Sequence, residues 1–224
     1  MKNRIKKFLQ KKMSFSKIFY SYKFRKIYEN DGFNMMNRGV SRSGPGSDLV
    51  QTKIIREEIE RIINDYEINS ILDIPCGDFY WMSRVSLKNV KYIGADIVKS
   101  LINNNIKKYK TEQNNFKTID LISDKLPSVD LIIVRDLFVH LKNKQILRSI
   151  ENIKNSGSKY LLVTSFLRNE KNKDIEIVSQ WRPLNLMLDP FNLPKPLEII
   201  NENCTEGERK YLDKSLLLYK IEKL

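Results

Sequence analysis

The feature that most constrains this chain is a regular alternation of helix-like and strand-like segments between residues 48 and 166. The strand-like segments are short and rich in branched apolar side chains, whereas the helix-like segments mix apolar and charged residues at helical spacing. Strands are predicted at 70–74, 90–96, 116–119, 130–134 and 159–166, and helices at 48–66, 80–85, 98–108 and 144–155. Because strands that are apolar along nearly their whole length are buried on both faces, the pattern predicts an α/β fold whose parallel sheet has helices on both sides.

The alternation stops after Phe166. The segments 179–183 and 189–196 contain too much proline for regular structure, and two further strand-like runs, 197–201 and 214–221, follow them. Long ordered loops in a compact domain are usually functional. We therefore expect this part of the chain to contact a ligand.

The formal net charge of +13 is concentrated at the front of the chain. Residues 1–28 contain ten Lys or Arg and no acidic residue, which leaves the remainder at +3. We therefore divide the chain into a basic N-terminal tail or helical extension, residues 1–40, and a folded domain, residues 41–224. The tail interleaves its cations with apolar side chains. This mixture is typical of a basic helix packed on the domain, or of a segment that lies on an anionic membrane or an acidic partner.

Cysteine and histidine are scarce. Cys76, Cys204 and His140 are the only residues of these two types, and their spacing suits neither a disulfide framework nor a zinc site. We therefore expect a reducing cytoplasmic location and no metal. The sequence contains neither a run of ~20 apolar residues that would span a membrane nor the apolar block of a signal peptide.

The loop after the first predicted strand is a candidate ligand site. In open α/β sheets the ligand crevice lies at the carboxyl ends of the strands. The loop contains Asp73, Pro75, Cys76 and Gly77, and its small residues would let the backbone approach a ligand closely. Alternatively, Asp73 caps the next turn and Asp78 caps the helix that follows.

The second and third predicted strands also end in a carboxylate. Asp96, followed by Ile97, lies 23 residues beyond Asp73, and a carboxylate in that position accepts hydrogen bonds from both hydroxyls of a ribose. Asp120 would accept a hydrogen bond from the amino group of an adenine, and Leu121 would cover the ring. For Asp96 and Asp120 the alternative is an ordinary structural role in a turn.

The segment 71–166 resembles the class I S-adenosylmethionine-dependent methyltransferases, with 71–77 standing where that family has its glycine-rich cofactor loop. The resemblance implies a Rossmann-like fold with a mostly parallel seven-stranded sheet, an antiparallel last strand, and S-adenosylmethionine as cofactor. Two positions depart from the family pattern, since Pro75 replaces the first glycine and Phe79 the last. Pro75 removes an amide donor and Phe79 crowds the approach, so the loop suits a cofactor without phosphates better than NAD.

A longer resemblance, from Ser43 to Ile221, is to a bacterial subgroup of these methyltransferases associated with surface-polysaccharide biosynthesis. It rests on ordered blocks at 75–82, 92–97, 134–140, 181–186 and 191–196. The resemblance implies that residues 41–224 form a methyltransferase domain. It also implies O-methylation of a sugar or phosphorus-linked group in a capsule or lipopolysaccharide precursor, with a small-molecule or nucleotide-linked glycan as substrate.

Residues 135–140 follow the fourth predicted strand, where the transferred methyl group would lie. His140 titrates near neutrality and would remove a proton from an acceptor hydroxyl. Asp136, four residues earlier, would orient the imidazole from the same helical face. Arg135 is assigned to the cofactor. The alternatives are a buried structural histidine and an ion pair between Arg135 and Asp136. A base is optional, since alignment alone accelerates an in-line methyl transfer.

Substrate contacts are expected from the loop before the first helix and from the proline-rich segments. Ser43 lies in a glycine-bearing loop that would close over an anionic group, although a plain turn with Ser47 as helix cap is the alternative. In the later segments aromatic faces and fixed polar donors suit a sugar or an anionic group, and an ordinary packed loop is the alternative. The predicted contacts there are Trp181, Arg182, Asn185, Asn192 and Lys195.

Three other functions remain open. An RNA methyltransferase would keep the fold and use the basic tail for phosphate contacts, but no base-stacking signature accompanies it, so we do not expect a nucleic-acid partner. A non-catalytic, membrane-docked partner protein would bind the cofactor without turnover. An NAD oxidoreductase ranks last because its phosphate loop is poorly matched.

Overall fold

The computed structural model describes residues 17, 20–30, 41–176 and 180–224. Residues 20–29 form a helix, α1, and three longer helices follow: α2 (Lys53–Asp65), α3 (Lys99–Tyr109) and α4 (Asn143–Lys154). Single helical turns occupy Pro45–Ser47, Met82–Arg84, Phe138–His140 and Ile221–Lys223. Residues Glu206–Arg209 form a turn in which Gly207 and Glu208 have left-handed φ angles. The strands are β1 (Ser70–Asp73), β2 (Lys91–Asp96), β3 (Asn114–Thr118), β4 (Leu131–Val134), β5 (Tyr160–Phe166), β6 (Glu198–Asn201) and β7 (Lys214–Lys220).

Within the described part of the chain, these seven strands form one sheet in the order β3-β2-β1-β4-β5-β7-β6. Strands β1 to β5 pair in parallel, and β7 lies antiparallel between β5 and β6. The prediction of a mostly parallel seven-stranded sheet with an antiparallel last strand is confirmed. The order reverses at β1 and β4, and in open α/β sheets such a reversal is where the ligand crevice forms.

The strands alternate their side chains between two hydrophobic layers. Leu72 and Ile132 belong to one core cluster and Ile71 and Ile133 to the other, and all four are fully buried. This is the two-residue period of a pleated strand with apolar residues in both phases. The predicted burial of the sheet on both faces is therefore confirmed.

Two of the predicted helices are shorter in the structure. Residues 48–52 form turns in which the Thr52 hydroxyl donates to the Asp48 carbonyl (2.8 Å) and the Val50 amide donates to the Asp48 carboxylate (2.7 Å), so α2 begins only at Lys53. Between 80 and 85 only the turn Met82–Arg84 is helical. Local side-chain bonds to the backbone compete with helix formation at such positions.

Helix α1 packs on the domain. Its Tyr28 is 8% exposed and belongs to a cluster with Val98 and Leu101. Most of the basic tail, including every cation from Lys2 to Lys12, lies outside the described residues. No described helix is long and apolar enough to cross a membrane.

Candidate functional site

A cavity of about 320 Å³ opens at the carboxyl ends of β1, β2 and β4. Its walls come from α1, from the loop before α2, from the loops that follow β1 to β5, and from residues 204–214. The predicted site residues that line it are Ser43, Pro75, Cys76, Gly77, Asp96, Ile97, Asp120, Leu121, Arg135, Asp136, His140 and Trp181. The topology thus brings together residues that are up to 138 positions apart, from Ser43 to Trp181.

Gly77 lies where two loops touch. Its φ of +53° is left-handed, and a Cβ added there would lie 2.3 Å from the Ser43 hydroxyl. A glycine is therefore required both for backbone conformation and for space. Just before it, the Cys76 amide donates to the Ala95 carbonyl (2.8 Å), which ties this loop to β2.

Asp78 clamps the loop before α2 onto the loop after β1. Its carboxylate accepts hydrogen bonds from the Ser41 hydroxyl (3.1 Å), the Arg42 amide (2.8 Å) and the Ser43 hydroxyl (3.2 Å). The Asp78 amide in turn donates to the Ser43 hydroxyl oxygen (3.0 Å). The Asp78 carboxylate also accepts the Tyr80 amide (3.2 Å), a local bond of the kind expected of the alternative role as a cap, although only the turn Met82–Arg84 follows.

Asp96 ends β2 and faces the cavity. Its carboxylate accepts the Val98 amide (2.9 Å). Burial raises the pKa of this carboxyl to about 6, although hydrogen bonds from backbone amides lower it. Asp73 is placed differently from the prediction. It lies outside the cavity lining, accepts the Tyr92 hydroxyl (2.7 Å), and burial raises its pKa to about 7.

Asp120 and Leu121 lie in the turn that follows β3, at the cavity wall. The two carboxylate oxygens of Asp120 accept the Ile122 amide (3.0 Å) and the Ser123 hydroxyl (2.7 Å). These bonds give Asp120 the turn role that was the alternative interpretation, while leaving its side chain in the lining. We call the part of the cavity bounded by Gly77, Asp96 and Asp120 the glycine-loop end.

Four charged side chains meet at the opposite end, which we call the charged end. Arg135 donates to Glu202 (2.7 Å), Lys214 donates to Asp136 (2.7 Å), and Arg135 lies 3.4 Å from Asp136. The side chains of Arg135, Lys214 and Glu202 are at most 5% exposed. Burial raises the pKa of Asp136, but Lys214 and Arg135 outweigh it and lower the pKa to about 2. Asp136 is thus ionised at neutral pH.

The predicted helical arrangement of Asp136 and His140 is wrong. Asp136 has a left-handed φ of +56°, and only Phe138–His140 form a helical turn, so the two side chains do not share a helix face. The ion pair of Asp136 with Arg135, which was the alternative, is present. His140 still lines the cavity, with Nδ1 3.3 Å from the Gln180 carbonyl oxygen.

An aromatic wall borders the charged end. Trp181 and Tyr211 lie edge to face at 4.8 Å between ring centroids, and Phe166 packs at 5.6 Å from Trp181. Trp181 was predicted as a substrate contact, and it remains 39% exposed. Phe166 and Tyr211 were not predicted, because no local pattern distinguishes them from core aromatics.

The other predicted substrate contacts lie outside the cavity lining. The Arg182 guanidinium is buried and donates to the carbonyls of Phe138 and Val139 (2.9 Å each), so it fixes the turn that carries His140. The buried Asn185 side chain instead accepts the Met187 amide (3.1 Å). Asn192 and Lys195 are exposed away from the cavity. The structure therefore gives none of these four side chains a contact with the cavity.

Ser47 is not the cap of α2, because the helix begins six residues later. Several lining residues were not predicted as site residues: Tyr20, Phe24, Tyr28, Cys204, Glu206 and Lys214. Among the described residues, no group of three or more His, Cys, Asp or Glu side chains could hold a metal ion.

No protein-family model and no curated protein sequence matches this chain. Solved structures do. Human N-acetylserotonin methyltransferase in complex with SAM aligns with a TM-score of 0.58 at 13% identity, over 88% of this chain and 58% of that one. The N-methyltransferase NodS from Bradyrhizobium japonicum WM9 aligns with 0.55 at 12%, over 78% and 98%. PigF with SAH aligns with 0.54 at 15%, over 75% and 55%.

This chain therefore spans little more than half the length of the human enzyme and of PigF. At these identities the likeness establishes the fold, which is the Rossmann-like fold of class I methyltransferases.

Proposed function

We propose that this protein is an S-adenosylmethionine-dependent methyltransferase. The observation that carries the proposal is the cavity at the carboxyl ends of the strands, whose lining includes both Asp96 and His140. In open α/β sheets the ligand crevice lies at the carboxyl ends of the strands, and a solved structure with this fold is a methyltransferase in complex with SAM. Both points support the sequence resemblance. The proposal concerns the cavity and does not depend on the cations of the basic tail.

The residues of the glycine-loop end fit this cofactor. The Asp96 carboxylate would accept the ribose hydroxyls, and the apolar Ile97 and Leu121 would cover the adenine ring. A pyrophosphate would find few donors here, because Pro75 has no amide hydrogen and the Cys76 and Asp78 amides are already bonded within the protein. These features support S-adenosylmethionine over NAD.

The cofactor supplies an electrophilic methyl group on a sulfonium. His140 would remove the proton of an acceptor hydroxyl as the new carbon–oxygen bond forms and the carbon–sulfur bond breaks, leaving S-adenosylhomocysteine. Asp136 does not serve as a second base, since Lys214 and Arg135 hold its pKa at about 2. It would instead add a fixed negative charge beside the imidazolium. Alignment of the acceptor in the cavity accounts for the rest of the acceleration.

The proposed acceptor is a hydroxyl of a sugar or of a phosphorus-linked group in a surface-glycan (capsule) precursor. The exposed part of the Trp181 ring, which packs against Tyr211, offers an apolar surface of the kind that packs on a sugar ring. The long resemblance to the surface-polysaccharide subgroup points to the same class of acceptor.

A peripheral contact of the N-terminal segment with an anionic membrane surface is a secondary proposal. Tyr22 is 48% exposed on α1, and the guanidinium of Arg25 and the ammonium of Lys26 lie within 6 Å of its ring centroid. Aromatic and cationic side chains on one exposed face are typical of helices that bind anionic surfaces. Salt-sensitive binding to anionic but not neutral vesicles tests it.

The cofactor is tested by calorimetric titration with S-adenosylhomocysteine, with NAD and a short RNA as controls. We expect micromolar binding of S-adenosylhomocysteine that Asp96→Ala weakens, and no binding of NAD. Absence of binding by the folded wild-type protein would overturn the proposal. Binding of the RNA in preference to S-adenosylhomocysteine would move the assignment toward nucleic acid.

The acceptor is tested next, by screening nucleotide sugars and capsule precursors for methylation. His140→Ala should lower kcat by about 10²–10⁴-fold, with cofactor affinity unchanged. Gln145→Ala, a buried substitution outside the cavity lining, is the control for nonspecific loss of stability. Unchanged turnover in His140→Ala would remove the histidine as base and leave alignment as the mechanism.

A further inference from the structure

We infer that α1 belongs to the cofactor site, where its Tyr20, Phe24 and Tyr28 form an aromatic helix face over the adenosine half of the cofactor. This inference rests on the proposed function. It assigns binding residues to a segment that the glycine loop and the strand-end carboxylates do not include. It also gives a binding role to a helix that lies in the basic N-terminal segment.

The helix has two distinct faces. Tyr20, Phe24 and Tyr28 are four residues apart, which places them on one face, and all three line the cavity. Tyr22 lies two residues from Tyr20, faces away, and is 48% exposed. The face that meets the cavity is therefore aromatic, while the opposite face is solvated.

The aromatic face lies between the ends of β2 and β3. Phe24 and Tyr28 pack in a cluster with Val98 and Leu101, just beyond Asp96. Tyr20 and Phe24 also pack against the core cluster that contains Leu121. These strand ends supply the carboxylates Asp96 and Asp120. The aromatic face of α1 therefore borders the space that a nucleoside would occupy.

Polar contacts of α1 and of Lys17, which precedes it, reach three different loops of the cavity. Lys17 forms an ion pair with Asp124, whose carboxylate also accepts the Asp120 amide (3.0 Å). The Ser21 hydroxyl donates to the Ile97 carbonyl (3.2 Å), beside Asp96.

At the other end of the helix the Arg42 guanidinium lies 5.1 Å from the ring centroid of Tyr28, and it donates to the Tyr28 carbonyl (3.4 Å). Arg42 itself is held through its amide by Asp78. Helix α1 is thus attached to the loop after β2 and to the loop before α2, and through Arg42 and Asp78 it is linked to the glycine loop.

This arrangement couples the docking of α1 on the domain to the binding of the cofactor. A nucleoside base that packs against Phe24 would bury apolar surface of both the base and the ring. By linkage, any contact that binds the cofactor only while α1 is docked also stabilises the docked helix. Cofactor binding should therefore protect the α1 amides from exchange with solvent.

The first experiment compares calorimetric titrations of S-adenosylhomocysteine into wild type, Phe24→Ala and Tyr22→Ala. Tyr22 is the matched control because it is an aromatic residue of the same helix that does not line the cavity. We expect Phe24→Ala to weaken binding by about tenfold or more, and Tyr22→Ala to change it less than twofold. The affinities for adenosine should change in the same way, because the aromatic face of α1 lies against the adenosine half of the cofactor.

The second experiment needs no substitution and therefore does not depend on how well Phe24→Ala folds. Hydrogen exchange of wild-type residues 20–29 is measured with and without saturating S-adenosylhomocysteine, and we expect slower exchange in the complex. Binding by wild type with unchanged exchange in 20–29, or with equal affinity in a folded Phe24→Ala, would overturn the inference and leave the proposed function intact. No binding by wild type would instead reject the proposed function.

Discussion

At the glycine-loop end of the cavity the polar groups are single carboxylates that accept bonds from backbone amides, whereas at the charged end four side chains neutralise one another. Asp96 accepts the Val98 amide, and Asp120 accepts the Ile122 amide and the Ser123 hydroxyl, all within three residues, while the Gly77 amide adds a bond to Asp96 from the neighbouring loop. Arg135 and Glu202 are 67 residues apart, and Lys214 and Asp136 are 78 apart. The two carboxylates of the glycine-loop end are therefore oriented largely by backbone donors, whereas the charged end is held by side chains from distant segments. This difference decides how each end responds to substitution.

The largest expected effect concerns the charged end. Glu202→Ala would leave two buried cations, Arg135 and Lys214, with Asp136 as their only remaining partner in the cluster. Removing one member of a buried ion pair typically costs about 3–5 kcal/mol of unfolding free energy. Urea unfolding at pH 7 measures the loss.

Lys159→Ala is the control for Glu202→Ala, since Lys159 pairs with Asp130 while 69% exposed, and we expect almost no change there. A loss in Glu202→Ala as small as that of the control would show that the charged end is not held together by its ion pairs.

A smaller effect is expected at Gly77. Gly77→Ala forces a side chain into a left-handed backbone and toward the Ser43 hydroxyl, so we expect a loss of about 1–2 kcal/mol in stability together with weaker binding of S-adenosylhomocysteine. Gly157→Ala is the control because Gly157 also has a left-handed φ, +75°, and lies outside the cavity. Unfolding curves should show a loss in both variants, and titrations should show weaker binding only in Gly77→Ala.

Cofactor binding should depend on pH through Asp96. Because burial raises its pKa to about 6, the free carboxyl is protonated below that pH and must lose a proton to accept both ribose hydroxyls. Affinity for S-adenosylhomocysteine should therefore rise about tenfold per pH unit below pH 6 and level off above it. Titrations between pH 5 and 7.5 should show this slope in wild type and a flat profile in Asp96→Asn. A slope that survives in Asp96→Asn would assign the titration to another group, such as Asp73.

The smallest effect is expected at the aromatic wall of the charged end, where Trp181 packs against Tyr211 and Phe166. Trp181→Ala removes an exposed ring that we expect to contact only the acceptor, so it should raise the acceptor KM about fivefold, near 1 kcal/mol, without changing cofactor affinity. Leu197→Ala, also exposed (49%) but outside the cavity, is the control. Kinetics with an acceptor that wild type methylates provides the measurement. A fall in cofactor affinity would show that the two ends of the cavity are not separable.

The fold was predictable because its signals are local. A strand such as Leu131–Val134 is fully buried and reads as a continuous apolar run, and the residue that follows each strand is readable from the same pattern. Gly77, Asp96 and Asp120 were located in this way. The antiparallel position of β7 came from the family resemblance and not from the residues of the strand.

The charged end was poorly predictable because its partners meet only in three dimensions. Lys214 begins a strand that looks like any other, and Glu202 follows a short edge strand. The same limit explains the error at Arg182, which has the sequence context of a binding residue but donates to the carbonyls of Phe138 and Val139. Asp136 was misplaced because periodicity cannot reveal a left-handed residue.

The position of β7 between β5 and β6 bears on how the protein assembles during synthesis. Arg135 emerges from the ribosome 67 residues before Glu202 and 79 before Lys214, so strands β1 to β5 can pair while its guanidinium still has neither neighbour. At that stage Asp136 is its only partner from the cluster. Burial of an incompletely paired cation is unfavourable, and we therefore expect this edge of the nascent sheet to stay hydrated until β7 inserts. Closure of the sheet and completion of the charged end would then be one event. A chain arrested before residue 202 would expose an open sheet edge to chaperones and neighbouring chains.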